Sequence, residues 1–385
     1  MKPVILLIAG FLICFKLSSF GRAPVVRSRI CFSTDSVLKK DLLRDLDSLL
    51  AQKERPNKQN KYVLKEGLLE MWALLDEMKG VEKSTRPNDV NFYKAYITSI
   101  VNLSSDNFLI QLSYLRVVDK APVLRASFRL LAKKQGDHFY FYSPLKQNTK
   151  SWKTKKLNNI TFHYKDTLYA SDASKYVQTV STYDKRLKAP AGPIEFYYCD
   201  DFPEALQLLG VDYKSDHSGT RYNDLSADEN MASLEVNGGY DEKQRFDPHD
   251  LWHERLRRVM PADVINRPVD EGCAYLYGGS WGISWPEVLA IFKKYAVENP
   301  HADWLNLYIT TANFADGDKP LKVAYLVNAL IIRKIEKEKG FAPVMELLRC
   351  GKREQGDENY FKALEKVAGI SKAGFNAAVG KLIRE

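Results

Sequence analysis

Two of the six histidines, His249 and His253, fall in the segment Phe246-Asp247-Pro248-His249-Asp250-Leu251-Trp252-His253. On a helix, a spacing of four sets both imidazoles on one face, about one turn apart. That is the arrangement two ligands need to share one zinc ion. A further carboxylate, Glu271, lies 18 positions after His253 in Asp270-Glu271-Gly272-Cys273-Ala274-Tyr275. The other histidines read more simply. His138 and His163 sit among strand aromatics as packing residues, and His217 sits in a polar stretch as a solvated loop residue.

The order and spacing of these residues resemble the gluzincin class of zinc metallopeptidases. In that class a histidine pair on one helix is followed about twenty residues later by a glutamate in an Asn-Glu-Gly-x-Ala-x-Tyr-like segment. Here Glu271-Gly272, Ala274 and Tyr275 match, with Asp270 in place of the asparagine. The resemblance spans Ile160 to the C-terminus and implies a peptidase with His249, His253 and Glu271 as zinc ligands. It also implies a general base directly after the first histidine. The family's base is a glutamate, whereas this chain has Asp250, one methylene shorter. General-base action needs about 2.6–3.2 Å between heavy atoms or one bridging water, so either the helix sits closer to the metal or Asp250 relays through water, or else the site binds zinc and hydrolyses poorly. Asp250 also suits first-turn stabilisation at the positive end of the helix. Tyr325 resembles the tyrosine such peptidases use to stabilise an oxyanion, with Tyr308 as runner-up; a plain core role beside Leu321 and Leu326 is an equal reading. Asp270 and Asp247 are candidates to orient the histidines, and Glu254 is expected to be solvated against Arg257 or Arg258.

Elements must position these groups. Asp247-Pro248 reads as a helix N-cap with proline at the first helical position. Ser284-Trp285-Pro286-Glu287 is a capping box opening a helix to about Glu298. Pro320 is expected to open a long helix that Gly340 ends. Strands are expected at Ile160–Tyr164, Ile194–Tyr198 and Ser233–Val236, with helices at Ser174–Leu187 and Phe202–Leu209. Ser233–Val236 is read as the sheet edge, a place where an extended peptide could add by main-chain bonds. The polar run Asp212 to Asn230 is read as a loop. Before the basic stretch Lys146–Asn159, three helices (Leu38–Leu50, Leu64–Met78, Val90–Val101) precede strands at Phe108–Val118, Val123–Ala132 and His138–Tyr142. That order resembles the curved-sheet α+β folds of the nuclear transport factor 2-like type, an analogy of fold without function. The fold class is therefore α+β, with an N-terminal domain over 36–150 and a zincin-like metallopeptidase domain over 155–385 whose C-terminal part is mostly helical.

Composition sets the outer bounds. The 385 residues are 45% apolar, 27% charged and 12% aromatic, which excludes disorder as the dominant state. Lys2 followed by the apolar run Val4–Phe15 and small residues to Gly21 reads as a signal peptide over 1–21, making the protein secreted or periplasmic. Ile13 before Cys14 argues against a lipid anchor. Cys31, Cys199, Cys273 and Cys350 are too sparse for a disulfide scaffold. The formal net charge is +9. Residues 22–150 hold 23 Lys+Arg against 14 Asp+Glu, so the excess sits on the N-terminal domain. It suits an anionic surface or acidic partner and not nucleic acid, because charge and site chemistry lie on different domains. Two functions stand at this point: a secreted zinc peptidase acting on a peptide or protein substrate, or a catalytically weak or inactive peptidase-fold binding protein of the envelope.

Overall fold

A computed structural model describes residues 25–26, 35–84, 92–317 and 319–385. The expected signal peptide and Cys31 lie outside the described residues. In chain order the first elements are β1 (Val25–Val26), α1 (Ser36–Gln52), α2 (Leu68–Met78), β2 (Lys94–Ser104), β3 (Asn107–Val118), β4 (Ala121–Gln135), β5 (His138–Tyr142) and α3 (Leu145–Asn148). Then come β6 (Lys153–Leu157), β7 (Ile160–Tyr164), α4 (Ala170–Leu187), β8 (Ile194–Tyr198), α5 (Phe202–Leu209), β9 (Val211–Lys214), β10 (Asp224–Glu229) and β11 (Ala232–Asn237). Helices α6 (Pro248–Arg257), α7 (Arg267–Gly278), α8 (Trp285–Glu298) and α9 (Trp304–Ile309) follow. A small hairpin of β12 (Asn313–Ala315) and β13 (Leu321–Lys322) precedes α10 (Val323–Lys339), α11 (Ala342–Leu348), α12 (Glu358–Ala368) and α13 (Phe375–Arg384). The protein is α+β, and no helix among the described residues is long and apolar enough to cross a membrane.

The chain divides into two compact units, residues 1–148 with 207–218, and 149–206 with 219–385. Segment 207–218, which the sequence places in the second domain, belongs to the first. Its strand β9 joins the first unit's sheet by pairing Ala126 to Phe128 of β4. In that unit β2 to β5 form an antiparallel meander. Asp35 caps α1 by accepting from the Val37 and Leu38 amides at 2.8 and 3.1 Å. The helix buries Leu42, Leu46 and Leu49, and its buried Asp45 accepts from the Phe139 amide of β5 at 2.8 Å. Of the helix expected over Val90–Val101, residues 94–101 belong instead to the strand β2, and residues 90–91 lie outside the described residues. Tyr96, Ile97, Thr98, Ile100 and Val101 are β-branched or aromatic, and a short apolar run of that composition pairs more readily with β3 than it coils.

The second unit holds a five-stranded sheet in the order β10-β11-β8-β7-β6. Strands β7, β8 and β11 run parallel, while β10 and β6 are antiparallel to their neighbours. Strand β11 contains the expected edge Ser233–Val236 but lies inside the sheet. Leu234 pairs with Ala227 on one side and Glu195 on the other. The edge on that side is β10, in the stretch read as a loop; its acidic residues Asp224, Asp228 and Glu229 mask the alternation in which Leu225 and Ala227 are buried. The presumed linker near Lys146–Asn159 likewise contains β6. Helix α10 begins at Val323, since residues 321–322 form β13 and separate Pro320 from the helix start. The single core of this unit runs from Phe162 and Phe196 of the sheet through Trp252 of α6 to Leu326 and Leu330 of α10.

Candidate metal centre

Helix α6 starts where its cap dictates. Asp247 accepts from the His249 amide at 2.9 Å, with Pro248 next in line. The helix is fixed to α4 by the Arg255 guanidinium, which donates to both Asp184 carboxylate oxygens at 2.7 Å. Two glycines of α7 set how closely its neighbours pack. A Cβ on Gly278 would lie 2.4 Å from the His249 nitrogen, and one on Gly272 would lie 2.6 Å from the Asn328 Cβ on α10. Gly272 and the fully buried Ala274 of the Asp270–Tyr275 segment are packing residues, and Glu271 directly precedes the close contact at Gly272.

The donor atoms of His249, His253 and Glu271 all lie within 4.8 Å of one another. The two Nε2 atoms are 3.3 Å apart, and His249 Nε2 is 3.5 Å from Glu271 Oε2. Two donors held at about 2.0–2.1 Å from one tetrahedral ion stand roughly 3.3 Å apart, so these separations are those of a shared ligand set. Proton positions agree. His249 Nδ1 is 2.7 Å from the Gly279 carbonyl, which only accepts, so Nδ1 carries the hydrogen. His253 Nδ1 is 2.9 Å from Asp270 Oδ2, and the Trp252 indole donates to Asp270 Oδ1 at 3.1 Å. Both rings thus turn Nε2 towards a carboxylate and towards each other. Three donors facing inward are a set that could hold a cation. Burial opposes charge on His249, but hydrogen bonding to Glu271 and Gly279 raises its pKa. Burial likewise opposes charge on Glu271, while His249, His253 and Arg267 hold its carboxyl below the usual range.

Asp270 fills the orienting role. Asp247 serves instead as the backbone cap. Conversion of Asp270 to asparagine leaves a neutral acceptor opposite His253 and weakens zinc binding by about 10–100-fold, measurable by competition with a chromophoric chelator; an unchanged affinity would show that Asp270 does not tune the site.

No family model matches this chain, and no curated protein is similar enough to count as a relative. The candidate centre therefore stands on its own geometry.

Asp250, in the first turn of α6, is exposed and lines a cavity of about 160 Å³ beside the histidine helix. Tyr325 is half-buried in the first turn of α10, with its ring 5.7 Å from that of Tyr275, which is 5.8 Å from the His249 ring. Arg267 and Glu271 are its charged neighbours: burial and Glu271 raise the phenol pKa, and Arg267 opposes them. Tyr308 is fully buried, stacked on Tyr360 at 5.1 Å, and is a core residue.

The cavity beside Asp250 carries a feature that sequence spacing gives no sign of. Asp224 of β10, Glu235 of β11 and Glu254 of α6 converge on it from three elements. Glu254 is thus turned inward, with no ion pair to Arg257 or Arg258 among the described residues. Burial and then the neighbouring carboxylates push Asp224 up to about 6, Glu235 up to about 8, and Glu254 well above its ordinary value. Glu235 is the best held, accepting from the Tyr176 hydroxyl at 2.6 Å and the Asn237 amide at 3.0 Å. A carboxyl with a raised folded-state pKa binds more protons folded than unfolded between the two pKa values. Stability therefore falls as pH rises from about 4.5 to about 8. Glu235→Gln keeps the shape of the protonated acid and removes that loss. The variant is expected to match the parent near pH 5 and to exceed it by about 1–3 kcal/mol near pH 8, read by urea unfolding at both pH values.

Proposed function

We propose that this chain is a zinc-dependent hydrolase of the gluzincin type, acting on peptide bonds in a secreted or envelope setting. The observation that carries the reading is the convergence of His249, His253 and Glu271 with both Nδ1 hydrogens already committed to Gly279 and Asp270. Zinc bound there would polarise a carbonyl and lower the pKa of a coordinated water. The ligand set leaves an open position, as hydrolytic sites require, since no fourth protein ligand joins the three among the described residues. Asp250 follows the first ligand directly, and its carboxylate is the group to take the water proton. Tyr325, beside Arg267 on the rim of the site, is the candidate to donate to the oxyanion. Strand β10, the antiparallel edge, offers unpaired main-chain groups to an extended peptide. On this reading the second unit is a zincin-like domain. The first, with its helices against an antiparallel meander, is a nuclear transport factor 2-like module, and its basic excess faces an anionic surface or acidic partner.

Metal analysis of the purified protein followed by hydrolysis of a peptide library tests the proposal. Zinc near one equivalent with cleavage that His249→Ala abolishes is the expected result, and a wild-type protein free of metal after zinc reconstitution sinks it. The shortened base favours a second reading, a peptidase-fold binding protein of the envelope. Stoichiometric zinc without cleavage, with cleavage appearing in Asp250→Glu, would select it.

A further inference from the structure

The first unit contains a cavity of about 490 Å³ whose walls include Lys83, Ser84, Phe92, Tyr93, Arg116 and Arg125. Three of these are cations, two are aromatic, and no acidic side chain among the described residues lines the cavity. Each cation is held differently. Lys83 pairs with Glu54 at 3.2 Å. Arg125 donates to Ser215 Oγ at 2.5 Å and to Asp216 Oδ2 at 2.7 Å. Arg116 has no hydrogen bond or ion pair among the described residues. Its guanidinium carbon lies 4.2 Å from the centre of the Phe92 ring and 5.4 Å from that of Tyr93. The Nε atoms of both arginines are buried without a hydrogen-bond partner among the described residues.

The backbone builds this arrangement. Pairing between β3 and β4 shifts by one residue between Tyr114↔Ala126 and Leu115↔Leu124, which leaves Arg125 as the extra residue of a bulge. A bulge re-aims the side chain it carries, here towards the cavity that Arg116 also lines. Phe92 and Tyr93 are fixed in turn, both amides donating to the Glu82 carbonyl at 2.7 and 3.1 Å. Their rings meet edge to face at 5.1 Å. An arginine stacked on a ring with open N–H groups is pre-organised for a planar or tetrahedral oxyanion. Leaving those donors buried and unmatched costs free energy that a charged acceptor recovers. Arg116 keeps its N–H groups open among the described residues, while Lys83 and Arg125 add positive charge beside it; a phosphate monoester, with up to two negative charges, matches that charge better than a carboxylate does. The ring pair beside them suits an apolar or aromatic body on that phosphate.

We infer that this cavity is a binding site for a phosphate group carried on an apolar or aromatic body, with Arg116 as its principal contact. A soluble phosphomonoester and a phosphomonoester lipid headgroup share that chemistry. Calorimetry on the full chain, with phenyl phosphate and inorganic phosphate as probes, and co-sedimentation with vesicles containing phosphatidic acid against phosphatidylcholine vesicles, separate the two. Phenyl phosphate binding tighter than inorganic phosphate identifies the soluble source, and selective sedimentation with phosphatidic acid identifies the lipid. In either case Arg116→Gln lowers the affinity by about tenfold or more, and Arg116→Lys, which keeps charge without the fork, lowers it less. Phe92→Leu weakens phenyl phosphate and spares inorganic phosphate. Thermal unfolding of each variant, matched to the parent, establishes that the fold is intact. Binding that Arg116→Gln leaves unchanged overturns the inference, as does the absence of binding to both phosphates at millimolar concentration together with no preference for phosphatidic acid.

Discussion

Replacing His253 by alanine is expected to lower zinc affinity by about a thousandfold while leaving the fold in place. The argument rests on the position of its Nε2, 3.3 Å from that of His249. With His253 gone, two ligands remain and the set can no longer close a face around the ion. Apparent zinc binding energies of about 10–16 kcal/mol for complete sites imply several kcal/mol per ligand. The cost to the apoprotein is smaller. The ring is part-buried, and its chief protein bond is Nδ1 to Asp270, worth about 1–3 kcal/mol as a charge-assisted pair. Asp270 keeps the Trp252 indole as a donor, so no buried carboxylate is orphaned. Competition with a chelating fluorophore gives the affinity, and chelator-treated samples of both proteins give the apo stability. An affinity within tenfold of the parent would mean that His253 is not a ligand, and the peptidase reading would fall with it.

The largest stability effect is expected at Gly278. Alanine there puts a Cβ 2.4 Å from the His249 nitrogen and 2.6 Å from its Cα. Both are backbone atoms of the neighbouring helix, so relief requires α6 and α7 to separate. Overpacking of this kind costs about 1–3 kcal/mol, and contact with backbone places Gly278→Ala at the upper end, a fall in melting temperature of roughly 5–10 °C. The same separation carries His249 away from Glu271, so zinc affinity falls with stability. Intrinsic helix preference would favour alanine over glycine by about 1 kcal/mol, so the sign of the effect tests the contact. Gly380 on α13 is the control: its nearest neighbour is the flexible end of Arg384 at 3.7 Å. Gly380→Ala is expected to be neutral or stabilising. A Gly278→Ala protein as stable as the parent would show that the two helices are not in the contact described.

Much of the candidate site was legible from local rules. A cap, a proline and two histidines four apart suffice to put both imidazoles on one face of α6, because helix geometry is local. The pairing of Glu271 with them was legible only through resemblance. Eighteen residues of chain do not by themselves say that α7 returns against α6; Gly278 and Gly272 allow that return, and their role appears only when the neighbours are in place. Errors fell where local pattern is ambiguous. Val90–Val101 contains too few residues to separate a helical from a strand period, and pairing with β3 settled it in favour of β2. Strand β10 was hidden by Asp224, Asp228 and Glu229, charges tolerated because they lie on a sheet edge or at a cavity. The resemblance puts Ser233–Val236 at the sheet edge, whereas β11 is paired on both sides and all of Leu234 to Asn237 is buried.

By itself, then, the sequence determined the α+β class, the histidine face of α6 and the concentration of positive charge in residues 22–150, since each depends on neighbours a few positions apart or on counting. Tertiary structure alone decided that β9 leaves the second unit to join the first, that Glu235 and Glu254 meet Asp224 in one acidic cavity, and that a bulge at Arg125 turns it beside Arg116. These depend on strand register and helix approach, which are set by packing across many intervening residues, and no local spacing encodes them.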